Sequence, residues 1–321
     1  MTRPDPRASA PTVAVVSSGA PEETSRNGDT TPGLVSAVVV NHEAGDALLA
    51  CVASLRAEGV DEVTVVDNAS SDGSPEALVS ADDKVRLVQT GTNRGYGAAA
   101  NRGIALSASE LVLVTNPDVA VHRGALAALV AVLGADPTLA VAGPCILEAD
   151  GSRYPSARRF PSLVDAAGHA LLGDLVPTNR FTRRYRMGDL DTDKVAEVDW
   201  VSGACFLARR RALDELEGFD ETYFMYAEDA DLCWRARRAG WGVVYVPGAV
   251  VTHLQGISTA QHPYRMLVAH HRSVFHFAAR TERGWRRAAL PATAALLTLR
   301  LAVLCARQAL RTRHGAARPA K

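Results

Sequence analysis

From Leu34 onward, short runs of β-branched residues alternate with stretches rich in Ala and Leu. Val35–Val40, Val63–Asp67, Val85–Gln89 and Leu111–Thr115 have the length and composition of buried strands. The stretches between and after them, about 45–58, 74–81, 96–108 and 122–134, read as helices. A second block, about 139–254, mixes strands at Val198–Ala208 and Val243–Val246 with helices at 209–215 and 228–239. Strands alternating with helices predict an α/β fold, a mostly parallel sheet flanked by helices, with ligands held at the carboxyl ends of the strands. No linker-like composition separates the two blocks, so 33–255 reads as one domain and 256–321 as a helical, basic tail. Residues 1–32 are rich in Pro, Thr, Ser, Ala and Gly without periodicity, and read as a disordered leader that cannot offset its ordering entropy.

Composition narrows this picture. In 321 residues a hydrophobic fraction of 47% supports a substantial core, and 35 basic against 35 acidic residues give no reason to expect a nucleic-acid partner. Five scattered cysteines show neither the spacing of a zinc site nor a secreted disulfide framework. The early apolar run Val13–Val16 is too short for a signal segment, so a cytoplasmic location is expected.

Polar residues gather where strands end. Asn41 and Glu43 follow the first strand; Asp67, placed to accept hydrogen bonds from a base or ribose, ends the second and leads into a Ser-rich turn. Asn93, Gly95, Gly97 and Asn101 open a helix with small residues, which lets an anion approach its N-terminus. The glycine spacing is not that of a dinucleotide-binding turn, which disfavours a nicotinamide dehydrogenase. Asp118, in Thr115-Asn116-Pro117-Asp118, offers a carboxylate to a hard divalent cation, although an Asn-Pro-Asp turn explains it equally well. Glu228, Asp229 and Asp231 cluster at a helix start after Phe219, Tyr223, Phe224 and Met225, and Asp231 stands four residues before Arg235. Burial beside those aromatics asks for a reason that a solvated helix end would not.

In this order, Val38–Glu43, Val65–Ser74, Asn93–Asn101, Thr115–Asp118 and Gly218–Arg235 resemble the motifs of the inverting family 2 glycosyltransferases, over about 35–255. The resemblance implies a GT-A-type fold and a divalent metal, Mg2+ or Mn2+. It implies that Asp67 contacts the nucleotide base, that Asn93–Asn101 line the nucleotide pocket, that Asp118 and His253 hold the metal, and that Asp229 is the general base. Asp150–Arg159, Trp200–Cys205 and Ala269–Ser273 further resemble an actinobacterial subgroup that rhamnosylates N-acetylglucosaminyl-diphospho-decaprenol, in the linker between arabinogalactan and peptidoglycan. That likeness implies a dTDP-L-rhamnose donor and a polyprenyl-diphosphate-linked acceptor. Arg153, Arg158 and Arg159 stand where they could grip the acceptor diphosphate, and Trp200 where it could stack on a sugar; a solvated basic loop and a core Trp remain equal alternatives. Transfer of galactofuranose or N-acetylglucosamine, and a non-catalytic nucleotide-sugar binding module, stay open. Asn116 replaces a first Asp common in relatives, and Glu43 stands where Asn is common.

The tail carries Arg280, Arg283, Arg286, Arg287, Arg300, Arg307, Arg311 and Arg313, with Glu282 the only acid after residue 280. Its apolar run Ala288–Leu299 is twelve residues long, against roughly 20 for a bilayer span. The expectation is a helix lying on the anionic inner face of the membrane, with Arg286, Arg300, Arg307 and Arg311 forming a stripe toward the head groups. A helix packed on the domain with a solvated basic face is the alternative.

Overall fold

The computed structural model describes residues 34–160, 162–173, 176, 178–254 and 262–316; the leader expected over 1–32 lies outside them. The first half follows the predicted alternation: β1 (Val35–Asn41), α1 (Ala47–Ala57), β2 (Glu62–Asp67), α2 (Ser74–Ala81), β3 (Arg86–Gln89), α3 (Tyr96–Leu106), β4 (Leu111–Thr115), β5 (Val119–Val121) and α4 (Ala125–Ala135). Then come β6 (Leu139–Leu147), β7 (Arg153–Tyr154), β8 (Ala157–Arg158), α5 (Leu163–Leu172), α6 (Arg180–Tyr185), β9 (Ala196–Glu197), β10 (Trp200–Val201), β11 (Cys205–Arg209) and α7 (Arg210–Glu215). The chain closes with α8 (Glu228–Arg238), β12 (Gly242–His253), α9 (Pro263–Thr281), a 3-10 turn at Gly284–Ala289 and α10 (Leu290–Ala316).

The main sheet runs β3-β2-β1-β4-β11-β6-β12-β5. Every neighbouring pair from β3 to β4 is parallel; β11 is antiparallel to both β4 and β6, and β12 returns to the parallel direction beside β6. Alternation along the strands divides two cores. Val38, Val40, Val66, Val114 and Phe206 face one side, while Val39, Val65, Leu113 and Leu207 face the other, as a two-residue period requires.

Two local departures shape the site. The strand expected over Val198–Ala208 is broken at Ser202-Gly203-Ala204, where Ser202 N–H donates to the Ser156 carbonyl and the Tyr96 hydroxyl to the Gly203 carbonyl. The central strand β6 has no β-branched run, since Ala140, Ala142, Gly143 and Pro144 dilute it. Gly143 is needed there because a Cβ would come 2.5 Å from the Val201 Cβ.

Helix α9 clamps the acidic segment. Ser273 Oγ of α9 donates to the Met225 carbonyl (2.8 Å), Arg265 stacks 4.7 Å over the Phe224 ring, and Arg280 pairs with Asp220 and with Asp231. Against α9 lies α10, where Arg300 Nη1 stands 3.5 Å from His271 Nε2. Arg300 therefore turns toward α9 and leaves the expected arginine stripe. The outward face is mostly apolar instead: Ala292, Ala295, Leu299, Ala302, Val303, Ala306 and Leu310 are exposed, with Thr298 and Arg307 among them. The helical stretch Gly284–Leu310 is long and apolar enough to cross a membrane by length and composition, and almost none of it is buried. The twelve-residue limit read from the sequence fails because one inward-turned arginine does not end the apolar face.

Candidate active site

The carboxyl ends of β1, β4, β10 and β12 and the N-terminus of α8 surround a cavity of about 530 Å³. Its two titratable features are a carboxylate–imidazole pair and an acidic helix start. The antiparallel register of β12 with β5 sets His253 opposite Val119, and Leu254 N–H donates to the Asp118 carbonyl. His253 Nε2 is thereby brought 3.1 Å from Asp118 Oδ1 and 3.2 Å from Asn116 Nδ2. Both members of the pair are largely buried, and His253 Nδ1 has no hydrogen-bond partner among the described residues.

A hard carboxylate oxygen beside an imidazole nitrogen fits a divalent cation that takes its other ligands from phosphate and water. Among the described residues, no group of three or more His, Cys, Asp or Glu gathers to hold an ion alone. Asp118 and His253 would be the protein ligands, with the remaining positions open to a diphosphate.

In the same cavity, the two residues before α8, Tyr226 and Ala227, both adopt left-handed φ, of 70° and 64°. Two consecutive non-glycine residues in that region cost energy and persist only where the surroundings impose them. The packing that imposes them includes Gly95, where a Cβ would meet the Phe224 carbonyl at 2.2 Å, and the bond from Tyr96 N–H to the same carbonyl. The result aims Glu228 and Asp229 at the cavity. Asp229 Oδ2 accepts from Gly203 N–H and Oδ1 from Ala230 N–H, both at 2.8 Å. Burial raises the Asp229 carboxyl above its ordinary range, opposed by those two donors and by the Arg158 charge. Burial, reinforced by the Asp229 charge, pushes Glu228 up to about 8.

The predicted residues do not all reach this cavity. Asn93, Gly95, Asp118, Arg158, Trp200, Glu228, Asp229 and His253 line it. Asp231, two residues beyond Asp229 and so about 200° around the helix, points into the core. It is fully buried between Arg235 (2.7 Å) and Arg280 (3.1 Å). Asp67 is also buried and committed, since its oxygens accept from Asn41 Nδ2 (2.9 Å), Ser70 Oγ (2.5 Å) and Ser70 N–H (3.2 Å). With Asn41 it braces the turn beneath the cavity. Glu43 Oε1 accepts from the N–H and hydroxyl of Ser71 on the outer side of that turn. Gly97 gives room to Phe219, whose Cβ would lie 2.9 Å from a Cβ there, and Asn101 bonds both the N–H and the carbonyl of Phe219. Arg153 bonds Thr192 and Asp193 outside the cavity.

Arg158 faces the cavity inside an aromatic cage. Its guanidinium carbon lies 5.1–5.4 Å from the Tyr154, Tyr185 and Trp200 ring centroids, and Nη1 and Nη2 donate to the two tyrosine hydroxyls. Sequence reasoning singled out Arg158 and Trp200 but not the two tyrosines. It also left out Asn68, whose Nδ2 donates to Asn93 Oδ1 and to the Gly95 carbonyl at the cavity wall. Asn68 follows Asp67 directly, and its position at a strand end was the available signal.

A carboxylate at a helix start and a carboxylate–imidazole pair, lining one cavity at the mouth of a mixed sheet, match the architecture of a GT-A-type glycosyltransferase. Its likeness to solved structures is one of fold. The Pyrobaculum calidifontis mannosyltransferase PcManGT, in complex with GDP-Man and Mn2+, superposes with a TM-score of 0.55 at 19% identity, covering 90% of this chain and 81% of that one. GalNAc-T7 with UDP, GalNAc and Mn2+ gives 0.52 at 16% identity, over 70% of this chain and 44% of that one. The chain belongs to the family described as glycosyltransferase like family 2, which it matches over residues 32–275. It is 43% identical over 248 residues to the N-acetylglucosaminyl-diphospho-decaprenol L-rhamnosyltransferase of Mycobacterium tuberculosis (strain ATCC 25618 / H37Rv), covering 74% of this chain and 80% of that protein. It is also 32% identical to the rhamnosyltransferase WbbL of Escherichia coli (strain K12), over 39% of this chain and 44% of that protein.

Proposed function

We propose that this glycosyltransferase moves L-rhamnose from dTDP-L-rhamnose to N-acetylglucosaminyl-diphospho-polyprenol, with inversion at the anomeric carbon. The observation that carries the reading is the convergence of Asp229 and the Asp118–His253 pair on one cavity. The likeness to the mycobacterial rhamnosyltransferase supports the choice of sugars.

Asp229 takes the proton from the acceptor hydroxyl as that oxygen forms its bond to the anomeric carbon. The bond from that carbon to the dTDP oxygen breaks on the opposite face, and its electron pair leaves with the diphosphate. A bound divalent cation would neutralise the charge that develops on the diphosphate. Gly203 N–H and Ala230 N–H hold the Asp229 oxygens in place, so that little reorganisation accompanies proton transfer.

The acceptor's polyprenyl chain lives in a bilayer, and the exposed apolar stripe of α10 is suited to lie in or enter one. Arg283, Arg286 and Arg287 before it, and Arg307, Arg311 and Arg313 toward its end, suit anionic head groups. This supports action at the cytoplasmic face of the membrane.

The test is transfer assayed across a panel of nucleotide sugars with a polyprenyl-diphosphate-linked N-acetylglucosamine acceptor. Turnover of dTDP-L-rhamnose is expected. Turnover of a UDP-sugar with dTDP-L-rhamnose ignored would overturn the assignment of the donor while leaving the family intact.

A further inference from the structure

We propose that Glu228 serves the reaction as a neutral acid, donating a hydrogen bond to a carbohydrate hydroxyl in the cavity, while Asp229 alone is the proton-accepting carboxylate. The inference rests on the transferase reading above and assigns a role that the family resemblance leaves undefined.

Glu228 and Asp229 are consecutive and both line the cavity, Glu228 buried and Asp229 half-buried. Two adjacent carboxyls shielded in one cavity do not both ionise readily, because each charge disfavours the other. The protein chooses between them by its donors. Asp229 receives two backbone N–H groups, which only an acceptor oxygen can use. Among the described residues, buried Glu228 Oε2 has no hydrogen-bond partner, and the carboxyl receives only its own backbone N–H. A carboxylate anion left in that state costs several kcal/mol or neutralises. A protonated acid needs only one acceptor, and a sugar hydroxyl in the cavity supplies it.

The charges around Glu228 fit the same assignment. Asp229, its neighbour on α8, is the charge that acts on Glu228 most directly. Arg158 on β8 spends Nε on the Pro155 carbonyl and both terminal nitrogens on tyrosine hydroxyls, and Arg265 on α9 stacks on Phe224. Among the described residues, neither pairs with Glu228. His253 on β12 faces Asp118. Burial pushes Tyr96 on α3 and Tyr226 up and His270 on α9 down to about 4, so these three do not titrate between neutrality and mild alkali.

The experiment compares Glu228→Gln, Glu228→Leu and Asp229→Asn in steady-state transfer, with donor and acceptor varied separately and dTDP affinity measured by calorimetry. Gln keeps an N–H donor at the same point and should lower kcat/KM by less than about tenfold. Leu should lower it by about a hundredfold or more, as expected when a buried polar contact to substrate is removed. A KM rise confined to one of the two substrates names the sugar that Glu228 holds. The wild type should lose kcat/KM above about pH 8 as Glu228 ionises, and Glu228→Gln should remove that alkaline fall.

Glu228→Gln as inactive as Asp229→Asn would overturn the proposal, because it would show that an ionised Glu228 is required. A Leu variant with wild-type kinetics would overturn it by removing the substrate contact. Should the Leu variant fail to fold, the Gln variant and the alkaline limb decide alone: a wild-type profile flat to pH 9 refutes the neutral acid. Absence of transfer by the wild type from every nucleotide sugar would instead sink the transferase reading, so the two failures are distinguishable.

Discussion

Asp229 and Asp231 stand two residues apart in one acidic cluster, yet Asp229 lines the cavity while Asp231 is buried between two arginines, and Asp231→Asn separates the proposed catalytic role from the structural one. Asp231 Oδ2 accepts from Arg235 Nε at 2.7 Å and Oδ1 faces Arg280 Nε at 3.1 Å, with the Asp231 side chain wholly buried. Removing its charge leaves two guanidinium groups facing a neutral amide. Breaking a buried pair in this way costs about 3–5 kcal/mol. The lower end applies here, because Arg235 still donates to the Leu216 and Gly218 carbonyls and Arg280 still pairs with Asp220. A loss of about 3 kcal/mol in a domain of this size lowers Tm by roughly 6–12 °C. Thermal unfolding measures that shift, and transfer assayed well below the new Tm measures what remains of turnover, which should stay within a few-fold of wild type. An unchanged Tm together with lost turnover would refute the reasoning and move Asp231 into the chemistry.

Asp229→Asn should show the reverse, a fall in turnover of about a hundredfold or more without loss of Tm, read by the same two assays. Asp118→Ala should raise the Mg2+ or Mn2+ concentration needed for half-maximal transfer and His253→Ala should do so more mildly, while excess chelator should abolish transfer in the wild type; full activity in chelator would remove the metal from the reading. Glu228 holds its proton to about pH 8 when folded but only to 4.5 as a free side chain. Between those values the folded state binds the extra proton, so this group makes stability fall as pH rises through that window. Glu228→Gln should therefore raise Tm at pH 8 relative to wild type and lose that advantage near pH 4, as calorimetric scans at the two pH values would show. Leu299→Glu with Val303→Glu places charge on the exposed stripe of α10, and co-sedimentation with anionic liposomes should drop while activity on a short-chain soluble acceptor persists.

The first half of the fold was legible because β1, β2 and β4 are dense in Val and Leu and sit between helix-forming stretches. β6 was not legible, because a strand covered on both faces by close neighbours can be built from Ala, Gly and Pro, and those residues carry no strand signal of their own. In the site, Asp118, Asp229 and His253 could be named in advance, but not the pairing of Asp118 with His253, which depends on the β5–β12 register. The spacing of Asp229 and Asp231 already implied opposite helix faces; which face met the cavity was decided by the Gly95–Phe224 packing and by Arg280, residues remote in sequence. Gly97 and Asn101 stand inside the motif that pointed to the nucleotide, yet they pack Phe219. A motif records which residues a site needs, including those that only hold its walls. The Arg158 cage joins Tyr154, Tyr185 and Trp200 across a stretch with little regular pattern, which left its aromatic members unmarked.

If α10 meets a lipid surface as proposed, the contact of α9 with the acidic segment would link that surface thermodynamically to the cavity. α9 touches Met225, Phe224, Asp220 and Asp231 on one side and carries α10 on the other. If a lipid surface favours one placement of α10 against α9, that preference is shared by the segment that orients Asp229. Coupling of this kind is reciprocal. A sugar substrate that favours the ordered form of the 220–229 segment must then tighten attachment to the bilayer by the same factor that the bilayer tightens its own binding. The enzyme would leave the surface more readily when empty than when loaded.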